Sequence, residues 1–135
     1  MDKEELKKRT KKFALRVIRL VEALPKTASG RAIGNQLVRS GTSVGANYRA
    51  CCRSRSRAEF IAKIGVVEEE ADESAFWLEL IIEGDLLPPA KVTLLLKEAN
   101  ELVAIMAASR ISARRKQTVR TRKSSIGNRQ SPIGN

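Results

Sequence analysis

Between residues 60 and 81, Phe60, Ile64, Val67, Ala71, Ser74, Leu78 and Ile81 recur at alternating spacings of four and three. A helical turn of about 3.6 residues brings such positions onto one stripe, whereas a strand, with its period of two, scatters them over both faces. One striped helix needs neighbours to cover it, and the chain supplies three. Leu6, Phe13, Val17, Leu20 and Leu24 mark a helix over roughly 3–24, opened by Asp2 and Glu5 at capping-box spacing and ended by Pro25. Ile33, Leu37, Val44, Tyr48 and Cys51 mark a second, capped by Thr27 or Ser29 and running to about Arg53. Ser56 and Glu59 form a capping box that restarts the chain near Arg57, and Gly84-Asp85 closes this striped third helix. Pro88-Pro89 opens a fourth, with Val92, Leu95, Ala99, Leu102, Met106 and Ser109 in the same rhythm.

Four helices with short connections predict an all-α fold, an up-down-up-down four-helix bundle over residues 1–112. Hydrophobic residues make up 42% of the chain but aromatic ones only 4%, so the core is expected to be aliphatic. After about Ser112 the rhythm stops. Residues 113–135, "ARRKQTVRTRKSSIGNRQSPIGN", have few core formers and are expected to form a flexible basic tail, disordered until bound. This tail holds seven basic residues and no acidic one, so that of the net charge of +11 only +4 remains for the bundle. Such a balance raises affinity for any polyanion.

The longest apolar runs, such as "VTLLL", are too short to cross a bilayer, and the start "MDKEELKKRTKKF" lacks an apolar signal core. Adjacent Cys51 and Cys52 make no disulfide framework, so a cytoplasmic location is expected.

The segments "RSGTSVGANYRA", "SRAEFIAKIGVV" and "EADESAFWLEL" together resemble a bacterial four-helix-bundle family, the 23S rRNA intervening-sequence proteins. The resemblance covers about residues 5–110 and leaves the basic tail outside it. It implies a bundle that assembles as a ring-like homopentamer. It also implies distant kinship to the accessory variability determinant of diversity-generating retroelements, which binds nucleic acid and a reverse transcriptase.

Several groups of residues are candidates for a functional surface. Gly34, Gly41 and Gly45 share one side of helix 2, where each is expected to disfavour helix by roughly 1 kcal/mol relative to alanine. A close backbone approach offsets that, either by a helix of the same subunit or by another subunit. Ser43 and Asn47, one turn apart, are placed to hydrogen-bond across to Glu70 or Glu73 of helix 3 and so to fix register. Arg31, Arg39, Arg49 and Arg53 lie nearly opposite the helix 2 core stripe, and Arg55 and Arg57 follow. They form either a track for nucleic-acid phosphates or a stripe neutralised by the helix 3 acids. In the tail, Arg114, Arg115, Lys116, Arg120, Arg122 and Lys123 are further candidate phosphate contacts. Val66, Phe76, Trp77 and Leu80 leave the helix 3 core stripe and mark an oligomer seam, unless Trp77 folds over the intramolecular groove.

Histidine is absent, which excludes Glu-x-x-His di-iron chemistry and histidine acid–base catalysis. The cysteines lack C-x-x-C spacing, and neither a Gly-rich phosphate loop nor a nucleophile elbow occurs. No enzyme, no cofactor and no metal is expected. A carboxylate site built on Glu70, Asp72 or Glu73 would need those side chains to face inward. The expected function is a non-enzymatic homo-oligomer that binds RNA or DNA through basic surfaces, largely independently of sequence. The alternative is a protein-interaction scaffold for an acidic or nucleic-acid-processing partner.

Overall fold

The structure, a computed structural model, describes residues 1–130, with side chains described through residue 123. Among these residues there are four helices, α1 Lys3–Glu22, α2 Ala28–Cys52, α3 Arg57–Glu83 and α4 Pro89–Gln130. α1 packs on α2, α2 on α3, and α3 on α4, while α4 closes the ring against α1. α1 and α3 are therefore diagonal neighbours, as in an up-down-up-down bundle.

Side chains fix the helix boundaries. Asp2 Oδ1 accepts from the Glu5 amide at 2.8 Å, Thr27 Oγ1 from Gly30 at 3.1 Å and Ser56 Oγ from Glu59 at 3.1 Å. Each satisfies an amide that an isolated helix leaves without a partner. α3 ends in a Schellman turn, with the Leu86 amide donating to the Ile81 carbonyl and the Asp85 amide to that of Ile82. The left-handed residue of that turn is Asp85, at φ 56°, rather than the preceding glycine.

The core is aliphatic, with Phe13 the only fully buried aromatic side chain, joined by Leu37, Ile64, Leu78, Ile81, Leu102 and Met106. α2 sits close to α1 through its glycines. A Cβ at Gly41 would meet both Val17 methyls at 2.8 Å, one at Gly34 would meet Val21 at 3.2 Å, and one at Gly45 would meet the Thr10 backbone at 3.4 Å. The glycine groove is thus filled within the subunit.

α4 passes the expected end near Ser112 and stays helical to Gln130. Among the side chains described, through residue 123, Ala113 is its last buried one. Packing thus stops where the apolar rhythm stops, but the backbone continues, because Ala, Arg, Lys and Gln favour helix and no proline intervenes before Gln130. The remainder of the expected tail, residues 131–135, lies outside the described residues.

Candidate nucleic-acid interface

Bundle topology brings the start of α1, the α2–α3 turn and the exit of α4 to the same end of the molecule. There an open cleft of about 790 Å³ is lined by Lys3, Arg55, Arg57, Lys116 and Arg120, with Ser54, Ser56 and Phe60 on its walls. Three stretches more than fifty residues apart in sequence supply these cations. None of the five side chains forms an ion pair among the described residues. Ser54 Oγ, buried from solvent on this wall, has no hydrogen-bond partner among them. The cleft therefore offers uncompensated positive charge.

The expected arginine stripe of α2 divides into three. Arg39 is neutralised, bonding Glu70 at 3.1 Å and Glu73 at 2.5 Å. Its hydrogen bond holds the Glu73 carboxyl below the ordinary carboxylate range, and the Trp77 indole adds to this. Arg31 folds back onto the Lys26 carbonyl at 2.9 Å. Arg49 and Arg53 line a shallow groove between α1 and α2 with Lys7, Lys8 and Lys11, beside Glu4. Of the α4 cations, Lys116 and Arg120 enter the cleft, and Arg115 and Lys123 flank Val119 along the exposed helix. Arg114 and Arg122 are exposed as well.

The expected bridge from Ser43 and Asn47 to α3 is not formed. Ser43 Oγ donates to the Arg39 carbonyl at 2.7 Å, and Asn47 Nδ2 to that of Ser43 at 2.8 Å. Both side chains back-bond within α2, while Arg39 occupies Glu70 and Glu73. A different polar pair links the helices. Ser74 Oγ, fully buried on α3, lies 2.9 Å from the equally buried Ser40 Oγ on α2. In the sequence Ser74 is a core-stripe position and Ser40 lies off the helix 2 stripe, and only the two helical phases taken together pair them.

On α3, Val66 and Phe76 are exposed, at 42% and 50%. Trp77 and Leu80 are half-buried beside them, with Trp77 packed against the core. The Trp77 ring meets Phe76 edge-on at 5.1 Å, and its indole N–H donates to Glu73 Oε1 at 3.3 Å. Among the described residues no group of His, Cys, Asp or Glu is arranged to hold a metal ion, and no helix is long and apolar enough to cross a membrane. Burial pushes the Cys51 thiol up to about 11, which leaves it protonated at neutral pH.

The family model of the 23S rRNA-intervening sequence protein matches residues 2–108. A crystal structure of a protein of unknown function from the S23 ribosomal protein family of Bacteroides thetaiotaomicron is 30% identical. It superimposes with a TM-score of 0.72 over 77% of this chain and 96% of that one. No curated protein matches. The match ends before Lys116 and Arg120, so the outer wall of the cleft is supplied by sequence beyond the shared bundle. With four helices in the expected order and a match over most of its length, the chain belongs to the 23S rRNA-intervening sequence protein family.

Proposed function

We propose that this chain is a non-enzymatic, cytoplasmic, homo-oligomeric module that binds RNA or DNA at the basic end of its bundle, largely independently of sequence. The observation that carries the reading is the convergence of Lys3, Arg55, Arg57, Lys116 and Arg120 on one cleft without a carboxylate partner. Arg9, Arg39 and Arg110, by contrast, are each held by glutamates of a neighbouring helix. Unpaired cations at fixed positions displace counterions from a phosphate backbone, which is the main source of sequence-independent affinity. Phe60 is the sole aromatic on the cleft wall, too little for a base-stacking platform. Repetition of the cleft in a homo-oligomer multiplies weak contacts into avid ones. The family description names 23S rRNA, which makes RNA the first ligand to test.

The test is fluorescence anisotropy of the full chain with single- and double-stranded RNA and DNA across a salt series. Removing one cation that neutralises a duplex phosphate flattens the log–log salt slope by roughly 0.9. Replacing Arg55 and Arg57 with alanine is expected to flatten it by about 2, whereas Arg39→Ala, already neutralised, leaves it unchanged. An unaltered slope in the Arg55/Arg57 variant excludes the cleft as the binding site. Loss of all binding near physiological salt, with a protein that co-purifies, supports the scaffold reading instead.

A further inference from the structure

The outer faces of α1 and α3 carry opposite charge and matching apolar residues. On α1, Leu15 and Ile18 are 47% and 39% exposed, and they lie between Lys12 and Arg19. On α3, Phe76 is exposed between Asp72 and Glu79. Lys12 and Arg19 are seven residues apart in the sequence, as are Asp72 and Glu79, so each charged pair spans roughly 10 Å along its helix axis. None of these four charges is paired among the described residues. The two faces look outward from diagonal corners of the bundle, since α1 and α3 do not pack on each other. Neither face can therefore satisfy the other within one subunit, and both are free at the same time.

We infer that the occupant of each face is a second copy of this chain, the α1 face of one copy seating on the α3 face of the next. The proposal rests on the homo-oligomeric reading above and adds to it the pair of surfaces that meet. Self-pairing of α3 on α3 sets Asp72 and Glu79 against like charge, and self-pairing of α1 does the same with Lys12 and Arg19. The heterologous pairing instead sets lysine and arginine against carboxylates around a centre of Leu15, Ile18 and Phe76. Such an interface uses two different patches, so each added copy presents a fresh one, and the assembly closes as a ring or grows as an open chain according to the rotation between copies.

Sedimentation velocity on the full chain tests the pairing. One variant carries Lys12→Glu with Arg19→Glu, a second Asp72→Lys with Glu79→Lys, and a third all four changes. All four positions are exposed, and unchanged helical circular dichroism verifies that each variant folds. Each two-site variant is expected to fall to the 14.9 kDa monomer, because both of its faces then carry the same sign. The four-site variant, with every contact reversed and complementary again, is expected to regain the wild-type mass. If both two-site variants keep that mass, or if the four-site variant stays monomeric, this pairing is overturned while the homo-oligomer stands. A wild-type chain that sediments as a monomer removes the homo-oligomer as well.

Discussion

Ser74 Oγ on α3 and Ser40 Oγ on α2 lie 2.9 Å apart in a core where, among the described residues, Thr10 is the one other buried polar side chain. Each hydroxyl also reaches a carbonyl of its own helix, that of Glu70 at 2.8 Å from Ser74 and that of Leu37 at 3.3 Å from Ser40. Each hydroxyl has a single proton, so two protons are shared among these three contacts, and either serine can still donate to a carbonyl of its own helix when the other is removed. Ser74→Ala and Ser40→Ala are each expected to destabilise by about 1 kcal/mol, within the range of a net buried hydrogen bond. The double variant should cost clearly less than the sum, because the shared bond is broken only once. Urea titrations of all four proteins measure this, and strict additivity would show that the two serines act separately.

The glycines of this chain divide by what surrounds them. Gly41 faces Val17, which is fully buried and has no room to withdraw. Gly41→Ala gains up to about 1 kcal/mol of helix propensity but overpacks the α1–α2 contact, an effect of roughly 1–3 kcal/mol. A net loss of about 1 kcal/mol is expected. Gly65, inside α3, has nothing within 4 Å of an added Cβ, and Gly65→Ala is expected to stabilise by about 1 kcal/mol. Asp85→Gly should add about 0.5–1 kcal/mol by relieving its left-handed φ of 56°. Thermal melts of the three variants separate these signs; a stabilised Gly41→Ala would mean that α2 can move away from α1.

The helices are legible in the sequence because their signals are local. Capping residues at Asp2, Thr27 and Ser56 and the stripes behind them need only a few neighbouring positions to be read. The exit of α4 departs from expectation because a missing apolar stripe ends packing, not helix, when the residues that follow are good helix formers. The cleft is the least legible part. Lys3, Arg55 and Lys116 share no periodicity, and only the up-down topology, which gathers alternate helix ends, brings them together. Arg39 looks like its stripe neighbours in sequence. Its pairing depends on the rotation of α3, which places Glu70 and Glu73 against it while turning Asp72 to solvent.

The two cysteines should differ in reactivity. Cys51 is fully buried, with a thiol pushed up to about 11, while Cys52 is partly exposed. Thiolate is the reactive form, and a buried thiol is shielded as well. With iodoacetamide near neutral pH, the native chain is expected to label at Cys52 at least about ten times faster than at Cys51, read by peptide mass spectrometry. In denaturant the two rates should converge. Equal native rates would show that the end of α2 opens readily.

Acid should loosen the bundle through its interhelix glutamates. Arg9 of α1 holds Glu98 of α4 in a two-pronged contact, Nε to Oε2 at 2.8 Å and Nη2 to Oε1 at 2.7 Å, and also reaches Glu101 at 2.7 Å. The Arg9 hydrogen bond is the main cause that keeps the Glu98 carboxyl below the usual carboxylate range, as the Arg39 hydrogen bond does for Glu73. A carboxyl whose folded pKa is depressed contributes stability that is fully present above its unfolded value, near 4.3, and is lost as pH falls through the folded value. The melting temperature is therefore expected to be flat from pH 7 to about 5 and to fall below that. Glu98→Gln should lower stability at neutral pH by about 1 kcal/mol, the upper end for a partly exposed pair. The gap between variant and wild type should then close as the pH drops, because the wild-type carboxyl is protonated too. A gap that stays constant down to about pH 2 would mean that Glu98 acts through packing rather than through its charge.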